Sequence, residues 1–306
     1  MDIAYESFVD SEPFKFLVGP TAKPFYMHGR LATKLSDRMA ALFGGGMKEA
    51  QNRYALLKDT DEETFVRVIQ FAYTGDYAVA EPKSDSVPST ADNDDDIPAP
   101  PAEEPVSCDD APTAEPAQSL GFWGESCSYK KKSKKGRKNN AFYSETFEDT
   151  GSPNPFENGR SKGEKAWDSF KTKAHLKGIM CWDPEVNEDQ HQDYTSVFLC
   201  HAKLYVFADQ YFIEPLQELV LQKLRLTLSR FKLHQQRVGD VVELLKYTYA
   251  NTPCRDPKID QLRDLISDYL VCHIEKIVHH VEFIKLLDNG DVTKDFLPKL
   301  VALRLD

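Results

Sequence analysis

His175, Cys181, His191 and Cys200 are of the residue types that bind zinc, since imidazole nitrogen and thiolate sulfur are its usual ligands. They follow one another at spacings of six, ten and nine. A closed tetrahedral site draws its ligands in pairs roughly two to five residues apart, so no metal centre is expected. Cys200-His201 has the types of a nucleophile and a base. Adjacent residues rarely point at each other, however, and no third group is implied to orient the base. Gly44-Gly45-Gly46 lacks the following lysine and serine or threonine of a phosphate-cradling loop. The chain is therefore expected to need no cofactor and not to be an enzyme.

One cationic cluster stands out: Lys130, Lys131, Lys132, Lys134, Lys135, Arg137 and Lys138. Clustered flexible cations of this density can occupy the acidic groove of a nuclear import receptor. The alternative is a solvated linker that pairs transiently with the acidic residues at 92–96. Tyr129 and Phe142 flank the run, too few aromatics for a base-stacking platform, so specific nucleic-acid binding is not expected.

The net charge of −11 over 306 residues is segregated. Residues 81–118 hold eight prolines and eleven carboxylates against one lysine, and contribute −10. So little apolar surface cannot offset roughly 1–2 kcal/mol of backbone ordering per residue, which predicts disorder there. Residues 130–138 contribute +7 and residues 139–200 contribute −5. The flanks are close to neutral, which argues against a folded nucleic-acid-binding face. No apolar run reaches spanning length and no signal-peptide pattern opens the sequence. The expectation is a soluble intracellular protein, in nucleus or cytoplasm, without a membrane partner. Cys108, Cys127, Cys181, Cys200, Cys254 and Cys272 show no repeated spacing and read as free thiols.

The elements outside the charged stretch follow from periodicity. Phe14 to Val18 alternates as a half-buried strand with the odd positions outward, Gly19-Pro20 turns the chain, and Phe25-Tyr26-Met27 is a second strand. Leu31 and Leu35 mark a helix. Ser36 caps the next, which carries Met39, Leu42 and Phe43 and stops at the glycines. Tyr54 to Leu57 is a third strand, and a helix from about 62 to 73, capped by Asp61 or Thr60, buries Phe65, Val68, Ile69 and Ala72. Beyond residue 200, Leu204, Phe207, Ala208 and Tyr211 repeat at helical spacing, and Pro215 opens a helix through Leu224. Two more helices are expected, at about 239–249 and 260–287, the second with a stripe that includes Val278, Val281 and Ile284. Within 155–195, Phe156, Trp167, Phe170, Leu176, Ile179, Met180 and Trp182 could form a short helix or partner motif inside disorder, or Trp167 and Trp182 could dock on the domain.

Five groups of residues resemble the BTB/POZ family, particularly fungal members in which a proline-rich or acidic insert splits the domain. They are Phe25-x-x-His28-x-x-Leu31-x-x-x-Leu35-Ser36, Met47-Lys48-Glu49-Ala50, Leu56-x-x-Asp59-x-Asp61-x-x-Thr64-Phe65, Phe71-Ala72-Tyr73-Thr74-Gly75 and Leu204-x-x-x-Ala208-Asp209-x-Tyr211. They stand in the family's order over 14–80 and about 200–228. The resemblance implies an α+β BTB/POZ fold, a small sheet with helical hairpins, followed by a helical C-terminal extension. It implies a first part of the domain at 1–80, a disordered insert, acidic and proline-rich then basic, at 81–198, a second part at 199–230 and the extension at 231–306. His28 is then a structural histidine. The family's fold is an interaction platform, often a homodimer, and some members hold a cullin scaffold in a ubiquitin ligase. Those members carry a hydrophobic residue, any residue, then glutamate before the third strand, which Met47-Lys48-Glu49 matches. Met47 would fill a groove on the cullin while Glu49 sets the register; alternatively Met47 packs on its own domain and Glu49 is solvated. The implied function is an adaptor or oligomerisation scaffold, with a nuclear regulatory scaffold lacking ligase activity as the alternative.

Overall fold

The computed structural model describes residues 5–44, 53–84, 160–175, 182–255 and 257–305. It is mixed α+β, and Met1–Pro88 and Phe156–Asp306 form one compact unit. Strands β1 (Pro13–Val18), β2 (Lys23–His28) and β3 (Tyr54–Leu57) make a three-stranded sheet in the order β2-β1-β3. β1 and β2 are an antiparallel hairpin, and the turn needs Gly19, whose φ of +74° is open chiefly to glycine. β3 runs parallel to β1, so the chain must cross over between them. The helices α1 (Gly29–Leu35) and α2 (Asp37–Gly44) lie on that connection. Ser36 stands between them, its Oγ accepting from the Met39 N–H at 3.1 Å and donating to the Tyr211 carbonyl at 2.6 Å.

Helix α3 (Glu62–Thr74) begins at Asp61, whose carboxylate accepts from the backbone N–H and hydroxyl of Thr64, and ends at left-handed Gly75. Its Phe65 meets Phe207 of α5 (Thr195–Gln210) with ring centroids 6.1 Å apart, so the two sequence segments share one core. A short antiparallel pair, β4 (Lys83–Ser84) with β5 (Gln192–Asp193), ties the segments again. α6 (Glu214–Arg230) follows, with Pro215 in its first turn, and α7 (Val238–Asn251) begins the C-terminal helices.

Three expectations need correction. The insert does not run unbroken over 81–198. Helix α4 (Lys162–His175) lies within that range and buries Ala166, Phe170 and Ala174, spaced one turn apart. Trp167 stacks on Phe170 at 5.5 Å and meets the rings of Tyr269 and His273 edge-on. Docking on the domain is therefore what Trp167 does. The helix starts with a capping box, the Ser161 hydroxyl accepting from the Glu164 N–H and the Glu164 carboxylate from the Ser161 N–H. The absence of a side chain at Gly163 admits the Arg304 guanidinium, which a Cβ would meet at 1.8 Å.

The expected helix over 260–287 is three: α8 (Gln261–Cys272), α9 (Ile274–Ile277) and α10 (Val281–Leu287). Ile277 and Phe283 are both buried, yet six residues apart they would face different sides of a continuous helix. The break at extended His280 lets both reach the core. It leaves Val278, Val281 and Ile284 exposed, contrary to the stripe expected there. Finally, α11 (Gly290–Leu300), capped by Asn289, adds a helix beyond the two expected within the helical extension and buries Val292 and Phe296.

Candidate functional site

The residues singled out for chemistry do not converge. Among the described residues no group of three His, Cys, Asp or Glu side chains is placed to hold a metal. Cys181 lies outside the described residues, His191 is exposed and Cys200 is buried. Burial also pushes the Cys200 thiol up, away from the reactive thiolate. His201 points into a separate polar cluster. His28 holds the Tyr73 hydroxyl at 2.6 Å, with Phe8 edge-on beside it.

That polar cluster is built around a buried lysine. Lys223 of α6 has a side chain only 1% exposed. Its ammonium pairs with the Asp76 carboxylate, donates to the Tyr77 carbonyl at 2.7 Å, and lies over the rings of Tyr77 and Trp182 at 4.4 and 4.8 Å. The Tyr77 hydroxyl bonds His201 Nδ1 at 2.7 Å, and His201 Nε2 faces the Thr227 hydroxyl at 3.4 Å. Burial, then the Lys223 and Arg67 cations, pushes His201 down to about 3, so the imidazole stays neutral. Burial raises the Tyr77 phenol well above its usual range. Each of these groups has a partner and the histidine is enclosed, so the cluster is a buried staple. It joins the end of the first segment to α5, α6 and the re-entry at Trp182.

Among the described residues, one face open to a partner is the outer face of the sheet. In β1 the side chains of Phe14, Phe16 and Val18 are buried, while Lys15 and Leu17 take the other face. Register pairs Lys15 with Tyr26 on one side and Tyr54 on the other, and Leu17 with Pro24 and Leu56. Directly paired residues share a face, so two rows result: Tyr26-Lys15-Tyr54 and Pro24-Leu17-Leu56. Tyr26 is 58%, Leu56 42% and Tyr54 37% exposed. At the margin Lys23 pairs with Glu62 and Arg53 with Glu12. Lys15 has no ion pair among the described residues. The surface was not anticipated as a site, although the alternation of β1 with the tyrosines of β2 and β3 carries the signal.

Met47 and Glu49 lie outside the described residues, between the end of α2 at Gly44 and the start of β3 at Tyr54, and so do Lys130, Lys131, Lys132, Lys134, Lys135, Arg137 and Lys138. No helix among the described residues is long and apolar enough to cross a membrane. Set against known proteins, the chain matches no family model and no curated protein sequence.

Proposed function

We propose that the chain is a protein-binding module of BTB/POZ type, acting as an adaptor or oligomerisation scaffold and catalysing no reaction itself. The observation that carries this reading is the sheet face left exposed among the described residues, in which five apolar or aromatic side chains surround one lysine with no ion pair among them. Exposed apolar groups gathered in one patch mark interaction sites more often than scattered ones do. The five sequence motifs support the family assignment, and the shared core of the two segments accords with a domain split by an insert. Within this reading a cullin scaffold is the partner to test first, through Met47 and Glu49, and a second copy of the chain is the next.

Titrating the purified chain with a cullin N-terminal domain tests the proposal. Full burial of Met47 would contribute about 1.5–3 kcal/mol, enough for Met47→Asp to weaken binding at least about tenfold. Binding that is lost in a folded Met47→Asp variant makes the chain a ligase adaptor. No binding by the wild type removes the cullin, and the molecular mass in solution then decides whether self-association remains. A chain that is monomeric and binds no cullin leaves the basic run, and with it the nuclear scaffold, as the next reading to test.

A further inference from the structure

Arg225 lies on α6 facing a cavity of about 390 Å³, walled by α4, α6 and α8. The Phe170 ring of α4 packs against the guanidinium at 5.0 Å. A guanidinium has five N–H donors and can accept nothing. None of them finds an acceptor among the described residues, and Nη1 is fully enclosed without a partner. The nearby carboxylates are already engaged: Asp268 with Lys173 and Lys299, and Asp264 with Lys299. Glu218 also lines the cavity but makes no ion pair with Arg225. Burial lowers the Arg225 pKa below the ordinary guanidinium range, and the charges of Asp268 and Asp264, both engaged with lysines, oppose this only in part.

A half-buried guanidinium that lines an open cavity and finds no acceptor among the described residues is suited to pair with an anion there. We propose that this cavity is a binding site for a carboxylate, with Arg225 as its bidentate anchor. The planar fork of arginine matches the two oxygens of a carboxylate. Glu218 and Asp264 on the lining oppose a doubly charged phosphate more than a single carboxylate, while Leu221 and Leu265 provide apolar wall for the stem that carries it. Gln261 adds an amide group at the opening. Because α4 supplies both Phe170 and Lys173, the site is complete only when that helix is docked. Ligand binding must then favour the docked state by linkage. The inference rests on helix packing alone and stands or falls independently of the BTB/POZ reading.

The test uses the full chain, in butyrate, in the blocked peptide acetyl-Leu-Glu-Leu-amide, or in inorganic phosphate, each at matched ionic strength against chloride. Melting temperature and hydrogen exchange in 162–175 are the readouts. A carboxylate should raise the melting temperature and slow exchange in that helix. A stronger response to the peptide assigns the site to an acidic side chain of a partner; a stronger response to butyrate assigns it to a small free acid. Arg225→Gln should abolish the response yet melt, ligand-free, close to or above the wild type, because it removes an unpaired charge. Arg225→Lys keeps the charge and loses the fork, so it should need about tenfold more ligand. Silence of the wild type toward both carboxylates overturns the proposal, as does a larger shift with phosphate. So does an Arg225→Gln variant that keeps the response, or one whose ligand-free melt collapses while Arg225→Lys restores it, since Arg225 would then be structural.

Discussion

His201 shows how burial turns a titratable side chain into a stability term. In the unfolded chain a histidine takes up a proton near pH 6.5, whereas His201 in the fold resists until about 3. Between those values the unfolded state binds more protons, so stability is full above pH 6.5 and falls as the pH drops, by about 1.4 kcal/mol per unit. His273, which burial pushes down to about 4, contributes with the same sign. Asp240 acts oppositely: burial raises it from 3.8 to about 6, so its contribution is present at low pH and is lost as the pH rises through 6. His201→Gln should therefore lose about 2 kcal/mol less than the wild type between pH 7 and pH 5 in denaturant melts. An unchanged pH dependence would mean that the imidazole is not held neutral. Gly75-Asp76-Tyr77 and His201 are recognisable in the sequence as the ends of two segments. Lys223, which joins them, is not, because Leu221-Gln222-Lys223-Leu224-Arg225 reads like any amphipathic helix and only the rings around a lysine reveal that it is buried.

Helix α4 poses the same problem at the scale of an element. Its buried stripe is two alanines and one phenylalanine amid lysines, so its mean hydropathy resembles that of the polar stretch before it. The legible signals were the Ser161-x-x-Glu164 box and the one-turn spacing of residues 166, 170 and 174. Strands were easier, since alternation in β1 fixes which face is inward. The long C-terminal stripe misled because apolar type alone does not record where a helix breaks to bring Ile277 and Phe283 inward. The docking of α4 rests chiefly on Phe170, which is 2% exposed against Trp167, Tyr269 and Arg225. Phe170→Ala should remove about 3–5 kcal/mol of docking energy. A helix of this length is marginal alone in water, so it should release from the surface. Hydrogen exchange should accelerate across 162–175 while α5 and α6 stay protected. Uniform acceleration throughout the chain would show instead that α4 unfolds only together with the rest.

At the scale of the molecule the governing quantity is the distance in sequence over which the core closes. Tyr77 bonds His201 across 124 residues and Ser36 bonds Tyr211 across 175. Each such contact must be reached by closing a loop whose entropic cost grows as about (3/2)RT ln n. Two core-forming segments were legible because periodic apolar elements resume on the far side of a charged stretch; the cost of closing the loop between them has no signature in residue types. Replacing 89–155 by a Gly/Ser linker of about a dozen residues would leave about 20 residues between Ser84 and Arg160. Such a span reaches on the order of 60 Å extended, more than a unit of this size requires. Shortening the loop from about 75 to about 20 residues should stabilise the fold by about 1 kcal/mol, seen as a melting temperature a few degrees higher. Because the closing contacts are non-local, refolding should also be faster. A lower melting temperature would mean that the compact unit draws stability from the excised residues, and that the two flanking segments do not suffice to form it.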